Sequence, residues 1–294
     1  MRLLIVGGTG TVGSAVMTEA LGRGLEVRVM TRSAEKAAAL PVGVTGVVGD
    51  LEKPETLAEC FAGADAAFVA TALSQHETQM GLNAVAAARQ AATGHVVYLS
   101  VHKVRTALHI PHFASKVPIE DALAQSGLRY TILQPNNFFQ NDYWFQEAIG
   151  RYGVYPQPMS TKGINRVDVR DIAVAAVNSI AEGKHAGKSY PLVGPDALTG
   201  DETAEIYSSA LGRAVRYIGA DLEGWEKSTR TMMPGWLVDD LKIMYGHFLE
   251  HGLAAPAEDV EACSVVLGRA PRRFADWVAE IAPAWRAAGR GESS

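Results

Sequence analysis

The chain has 294 residues, 48% hydrophobic and 20% charged, a globular composition that excludes a disordered polymer. Its 27 basic and 32 acidic residues leave a formal charge of −5 and form no basic stripe, so nucleic acid is not an expected partner. Two distant cysteines, Cys60 and Cys263, and no apolar run of the roughly 18–20 residues that a membrane helix needs point to a cytoplasmic protein without membrane contact.

The first strands are expected at Leu3–Val6, Glu26–Met30, Gly43–Val48, Ala66–Ala70, Val96–Ser100 and Tyr130–Leu133, each a short apolar run. Between them, Thr11–Leu21, Ala34–Leu40, Pro54–Phe61, Glu77–Ala92 and Phe113–Gln125 carry alanine, leucine and charges at helical spacing. This alternation predicts an α/β fold, a doubly wound parallel sheet in 3-2-1-4-5-6 order with helices on both faces. Residues 1–135 are expected to form this nucleotide-binding lobe. After Pro135 the rhythm changes to aromatics and amides and then to helices, with strands only near Ser189–Val193 and Val215–Ile218. Residues 136–294 therefore read as a smaller, helix-rich substrate lobe, of which about 160–182 return to the first. The small polar tail Gly289–Ser294 is expected to fray.

The strongest motif is Gly7-Gly-Thr-Gly10-Thr-Val-Gly13, between the first strand and the first helix. Glycines there give a tight turn and a backbone that approaches a pyrophosphate, and the helix N-terminus offers free N–H groups. Gly7, Thr9, Gly10, Thr11, Val12 and Gly13 are the expected contacts. After the second strand comes Thr31-Arg32-Ser33, with no carboxylate to bind an adenosine ribose. Arg32 suits a 2′-phosphate, so NADP(H) is expected in preference to NAD(H). Asp50 and Leu51 follow the third strand, where Asp50 either meets the adenine edge or caps the helix near Pro54. Thr71 and Ala72 end the fourth strand beside the switch point of the sheet, where the nicotinamide ribose is expected.

With these residues in place, the chain resembles the NmrA-like group of atypical short-chain dehydrogenase/reductases. The resemblance runs over nearly the whole length. It rests on the glycine motif, Arg32, Gly49-Asp50-Leu51, His95–Ser100, Phe113-Ala-Ser-Lys116, Tyr130–Phe139, Asp168–Asp171 and Leu267–Phe274. It implies a Rossmann-type lobe, a small substrate lobe and usually NADP. The group holds quinone and azo-dye reductases, isoflavone-type reductases and proteins that only sense the nucleotide's redox state. One position departs from the wider superfamily: the tyrosine of a Tyr-x-x-x-Lys set is His112 here, while Ser100 and Lys116 remain.

Lys116, His112 and Ser100 are the candidate catalytic residues. Lys116 would hold cofactor hydroxyls and stabilise developing negative charge. His112, four residues earlier on the same predicted helix, would supply a proton, since histidine titrates near working pH. Ser100 ends the fifth strand at the carboxyl edge, and His102 lies two residues on as a substrate contact. Pro135, Asn136 and Phe138 are expected against the nicotinamide ring. Phe139, Tyr143 and Trp144 wall an apolar substrate pocket or pack the core of the second lobe. Asp171 is expected to cap the helix that follows it, and Arg269, Arg272 and Arg273 either to pair with acidic helices or a partner or to be solvated. No spacing of histidines and cysteines reads as a metal site. The expected function is an NADPH-dependent reductase, monomer or homodimer, passing a hydride to an unsaturated, aromatic or quinone-like small molecule. The alternative is a non-catalytic NADP(H) sensor.

Overall fold

The computed structural model describes residues 1–288, so the expected fraying of Gly289–Ser294 lies outside the described residues. In chain order the elements begin β1 (Arg2–Val6), α1 (Thr11–Gly22), β2 (Glu26–Thr31), α2 (Ala34–Ala38), β3 (Val44–Val48) and α3 (Leu57–Phe61). They continue β4 (Ala66–Val69), α4 (Glu77–Gln90), β5 (His95–Leu99), α5 (Pro111–Ala114), α6 (Val117–Gln125) and β6 (Tyr130–Pro135). Then come α7 (Gln146–Gly150), β7 (Val154–Tyr155), β8 (Ile164–Asn165), α8 (Val169–Ala181), β9 (Lys188–Leu192), β10 (Ala197–Leu198), α9 (Gly200–Leu211) and β11 (Arg216–Tyr217). The last helices are α10 (Leu222–Thr229), α11 (Gly235–His251), α12 (Ala257–Leu267) and α13 (Phe274–Ala288). None of the described helices is long and apolar enough to cross a membrane.

The chain divides into two compact units. The first comprises Met1–Pro135, Val169–Leu192 and Ala262–Arg269. The second comprises Asn136–Asp168, Val193–Glu261 and the described residues from Ala270 onward.

The first unit holds a seven-stranded parallel sheet in the order β3-β2-β1-β4-β5-β6-β9. The six expected strands are joined by β9, which pairs with β6 through Leu133 and Tyr190. A parallel sheet is covered on both faces, so its strands read as nearly continuous apolar runs. Leu3–Val6 and Ala66–Val69 are accordingly buried throughout. Leu4, Val6, Val69, Val96 and Ile132 meet Leu57, Phe61, Ala84, Ala88, Ile119 and Leu123 from α3, α4 and α6. On the other face α1 packs against α8. Asn178 of α8 accepts from Arg23 at 2.6 Å and donates to the Val266 and Leu267 carbonyls, which fixes Ala262–Arg269 beside it.

Two local expectations need correction. The helix expected over Phe113–Gln125 is two helices, α5 and α6, with Lys116 as the N-cap of the second. Pro118 lacks an N–H and is tolerated only in a first turn, so α6 starts afresh there. His112 and Lys116 therefore do not share one helical face. Asp171 does not cap α8. It lies buried inside the first turn and accepts from Arg269 at 2.5 Å, so Arg269 is paired rather than merely solvated. Arg273 likewise forks onto Asp196, with both bonds at 3.1 Å.

At the amino edge of the same sheet, His95 opens β5. The Thr131 hydroxyl donates to the His185 carbonyl at 2.9 Å and so accepts from His95 Nε2 at 2.9 Å. That leaves His95 Nδ1 buried and without a partner among the described residues. The ring is neutral for that reason. Burial, with smaller contributions from Arg129 and His185, lowers its pKa to about 4.

The second unit is built around a charged centre. Arg166 is buried and lies 4.6 Å above the Phe274 ring. Its Nε donates to Asn137 Oδ1 at 3.0 Å. Nη1 donates to Asp142 Oδ2 at 2.9 Å and to the Tyr155 hydroxyl at 3.2 Å. Nη2 donates to Asp142 Oδ1 at 2.7 Å and to the Phe138 carbonyl at 2.8 Å. Tyr207 gives Asp142 a further hydrogen bond of 2.8 Å. Burial, reinforced by Asp142, holds the Tyr207 phenol far above its usual range. Every N–H of Arg166 is used, the condition under which a buried guanidinium is tolerated.

Candidate functional site

The carboxyl edge of the parallel sheet gathers the expected nucleotide residues. The Gly7–Gly13 loop joins β1 to α1, and the Gly10 N–H closes its turn on the Gly7 carbonyl at 3.0 Å. Gly7 has φ +82°, and a Cβ there would sit 2.6 Å from the Ala70 carbonyl oxygen. A Cβ on Gly13 would sit 2.2 Å from the Gly7 carbonyl oxygen. Only glycine lets the loop fold this tightly onto β4 and α1. Gly10 caps α1 with no side-chain hydrogen bond, so no cap side chain covers the first-turn N–H groups of Thr11, Val12 and Gly13. That cradle is shaped for an anion, with the loop backbone at Thr9 forming its rim.

Arg32 stands exposed just past β2, with no hydrogen-bond partner among the described residues. Asp50 turns back on itself: its Oδ1 accepts from the Glu52 N–H at 3.1 Å. It does not cap the turn at Pro54, whose N-cap is Lys53. Leu51 is buried, and its carbonyl is held by Asn83 Nδ2 at 2.7 Å. Past β4, Ala72 is exposed, while the Thr71 hydroxyl donates to Glu77 Oε1 at 2.6 Å.

Glu77 is the residue that sequence reasoning missed. It opens α4, is 1% exposed, and accepts from Thr71, from the Ser115 hydroxyl at 2.8 Å and from the Lys116 ammonium. Lys116 is partly exposed and has no other partner among the described residues. An ammonium carries three donors, so two of the three remain for a ligand. Ser100 also has spare capacity. Its N–H pairs with the Leu133 carbonyl at 2.8 Å, but its Oγ is buried without a partner among the described residues. At the carboxyl edge of the sheet, that leaves the hydroxyl able to bond a ligand group. Pro135 is buried, and its carbonyl accepts from the buried His102 N–H at 2.9 Å, so the strand pairing runs on past β5. His112 is half-buried, with its ring edge-on to Phe113 at 5.0 Å.

The remaining candidates belong to the second unit. Asn136 is buried, and its side chain donates to the Leu253 carbonyl (2.9 Å) and accepts from the Asn137 N–H (2.7 Å). Phe138 is half-buried. Phe139 is not a pocket wall: it is 1% exposed and packs against Phe274 and Trp277 at 5.1 and 5.8 Å. Tyr143 is half-exposed and lies edge-on to Trp277 and Trp285, whereas Trp144 is 75% exposed. Among the described residues no cluster of three His, Cys, Asp or Glu is placed to hold a metal.

Taken together, the glycine cradle, the unengaged Arg32, the spare Lys116 donors and the orphaned Ser100 hydroxyl fit a dinucleotide along the edge of the sheet. An NAD(P)H azoreductase of Xenophilus azovorans is 33% identical over 290 residues, covering 97% of this chain and 100% of that protein. The NADPH-dependent quinone oxidoreductase of Escherichia coli, complexed with NADPH, matches with a TM-score of 0.84 at 23% identity, over 95% of this chain and 99% of that one. NmrA, a negative transcriptional regulator in complex with NADP, matches with a TM-score of 0.80 at 20% identity, over 99% and 98%. The family match itself spans residues 1–274 and so takes in both units: the chain belongs to the NmrA-like family.

Proposed function

We propose that this protein is an NADPH-dependent reductase whose acceptor is an unsaturated small molecule of aromatic or quinone-like character. The observation that carries this reading is Lys116 at the carboxyl edge of the sheet, fixed by Glu77 with two ammonium donors left over. The azoreductase relative and the quinone oxidoreductase fold support it.

The bound nucleotide supplies the hydride. The first turn of α1 would receive its pyrophosphate, and Arg32 would pair with the 2′-phosphate that separates NADPH from NADH. Thr71, Ala72 and Pro135 would hold the nicotinamide end. Lys116 would donate to a ribose hydroxyl and supply positive charge where the acceptor becomes anionic. The Ser100 hydroxyl would donate to the nicotinamide amide or to the acceptor. His112 or water supplies the proton that completes reduction. A quinone or azo group needs less acid assistance than a ketone, because its reduced anion is delocalised, and this suits a site with histidine in place of tyrosine.

The test is NADPH oxidation against a panel of quinones, azo dyes, enones and ketones, with Lys116→Ala beside the wild type. Turnover on a quinone or azo acceptor, reduced about 100-fold in the variant with NADPH still bound, is expected. Tight NADPH binding with no turnover on any acceptor contradicts it. That result would favour a nucleotide-sensing protein, the reading to which His112 and the fold of the NADP-bound regulator lend weight.

A further inference from the structure

Resting on that reading, we propose that Glu77 is a positioning residue of the reductase: its buried carboxylate aims the Lys116 ammonium and ties it to the loop that follows β4. Four observations meet here. Glu77 is 1% exposed yet carries a carboxylate, which a protein interior tolerates only with full compensation. The compensation comes from two places far apart in sequence, Thr71 past β4 and Ser115–Lys116 between α5 and α6. Glu77 is the first residue of the 14-residue helix α4, where the helix dipole favours a negative charge. His76 before it offers no side-chain cap.

The Lys116 backbone is held as the N-cap of α6, but nothing in the backbone fixes its ammonium. It stands at the break between α5 and α6, on a long flexible side chain. A lysine there would sample many rotamers, and its charge would be spread over several ångströms of solvent. One bond to a carboxylate that is itself held by two hydroxyls converts that lysine into a fixed positive point. Thr71 is held by the same carboxylate, so the two residues expected at the nicotinamide end share one anchor. The Tyr98 phenol, buried on β5, is pushed far above its usual range by burial first and by the Glu77 charge second.

The test is a double-mutant cycle of Glu77→Gln, Lys116→Ala and the pair, read on kcat and on KM for the best acceptor, with a thermal melt of each. Glutamine keeps the size and an acceptor for Thr71 but removes the charge that holds Lys116. Glu77→Gln is expected to lower kcat at least tenfold while KM changes less than threefold. The double variant is expected to be no slower than Lys116→Ala alone, because Glu77 acts through Lys116. Losses that multiply, or a Glu77→Gln enzyme within twofold of wild type, overturn the proposal. If Glu77→Gln does not fold, Glu77→Asp takes its place: it keeps the charge but retracts it by one methylene. A tenfold loss of kcat sustains the proposal, and full activity overturns it. If wild type reduces no acceptor, the reductase reading falls. The same cycle is then read on the NADPH dissociation constant, where non-additive losses still support the Glu77–Lys116 coupling and multiplicative ones still refute it.

Discussion

Lys116–Glu77 in the first unit and Arg166–Asp142 in the second are both ion pairs built on a buried carboxylate, and they differ in what is left over. Arg166 uses all its N–H groups within the protein, and Asp142 accepts from Arg166, Tyr155 and Tyr207. Nothing in that centre is available to a ligand, so its effect is to hold the aromatic core of the second unit in one arrangement. Lys116 gives one bond to Glu77 and keeps two donors, and the same unit holds an orphaned Ser100 hydroxyl and an unengaged Arg32. Burial and charge alone do not mark a functional site. What supports the nucleotide reading is unspent capacity beside the glycine cradle, at the carboxyl edge of the sheet.

The largest effect that sharpens this contrast is on stability. Asp142→Ala strands the Arg166 charge in an apolar surround, and the expected loss is about 3–5 kcal/mol in urea unfolding. An unchanged midpoint would mean that Arg166 finds water or another partner, and the structural role would fall. Arg32→Ala addresses the other side. Removing an exposed, unpartnered arginine leaves folding alone and weakens NADPH by about 1.5–3 kcal/mol, roughly 10- to 150-fold, with NADH unaffected. Equal losses for the two nucleotides would remove the 2′-phosphate assignment.

These outcomes also bear on how much was legible in the chain itself. The inner strands β1, β4 and β5 were readable because burial on both faces leaves nearly unbroken apolar runs, and the glycine loop because only glycine fits it. Arg32 was readable as the residue just past β2, and there the structure leaves its side chain exposed. Glu77 was not, because an acidic residue opening a helix is ordinary, and nothing local reports that Thr71 and Ser115–Lys116 close over it. The aromatic run after Pro135 misled for a related reason: composition says that Phe139 and Trp144 are apolar, but not that one faces Phe274 while the other faces solvent. Asp171 was misplaced because Asp168 and Asp171 both precede apolar residues, and only the backbone shows that α8 begins at Val169.

A pH-dependent effect is expected at the amino edge of the sheet, where His95 faces His185 and Arg129. The His95 pKa falls from 6.5 to about 4 on folding. Between those values the unfolded chain binds a proton that the native ring refuses, so the native state loses stability as pH falls from about 6.5 toward 4. Above pH 6.5 the ring contributes no pH dependence. His95→Gln, which does not titrate, is expected to flatten the denaturation midpoint across that window. Parallel curves for the two proteins would show that His95 does not carry the acid sensitivity.

The central claim is that the spare donors at the carboxyl edge exist to hold NADPH. Calorimetric titration of the wild-type protein with NADPH, and separately with NADH, tests it most directly. One NADPH per chain, bound at least about tenfold more tightly than NADH, is the predicted result. No heat with either nucleotide, or tighter binding of NADH, would contradict it.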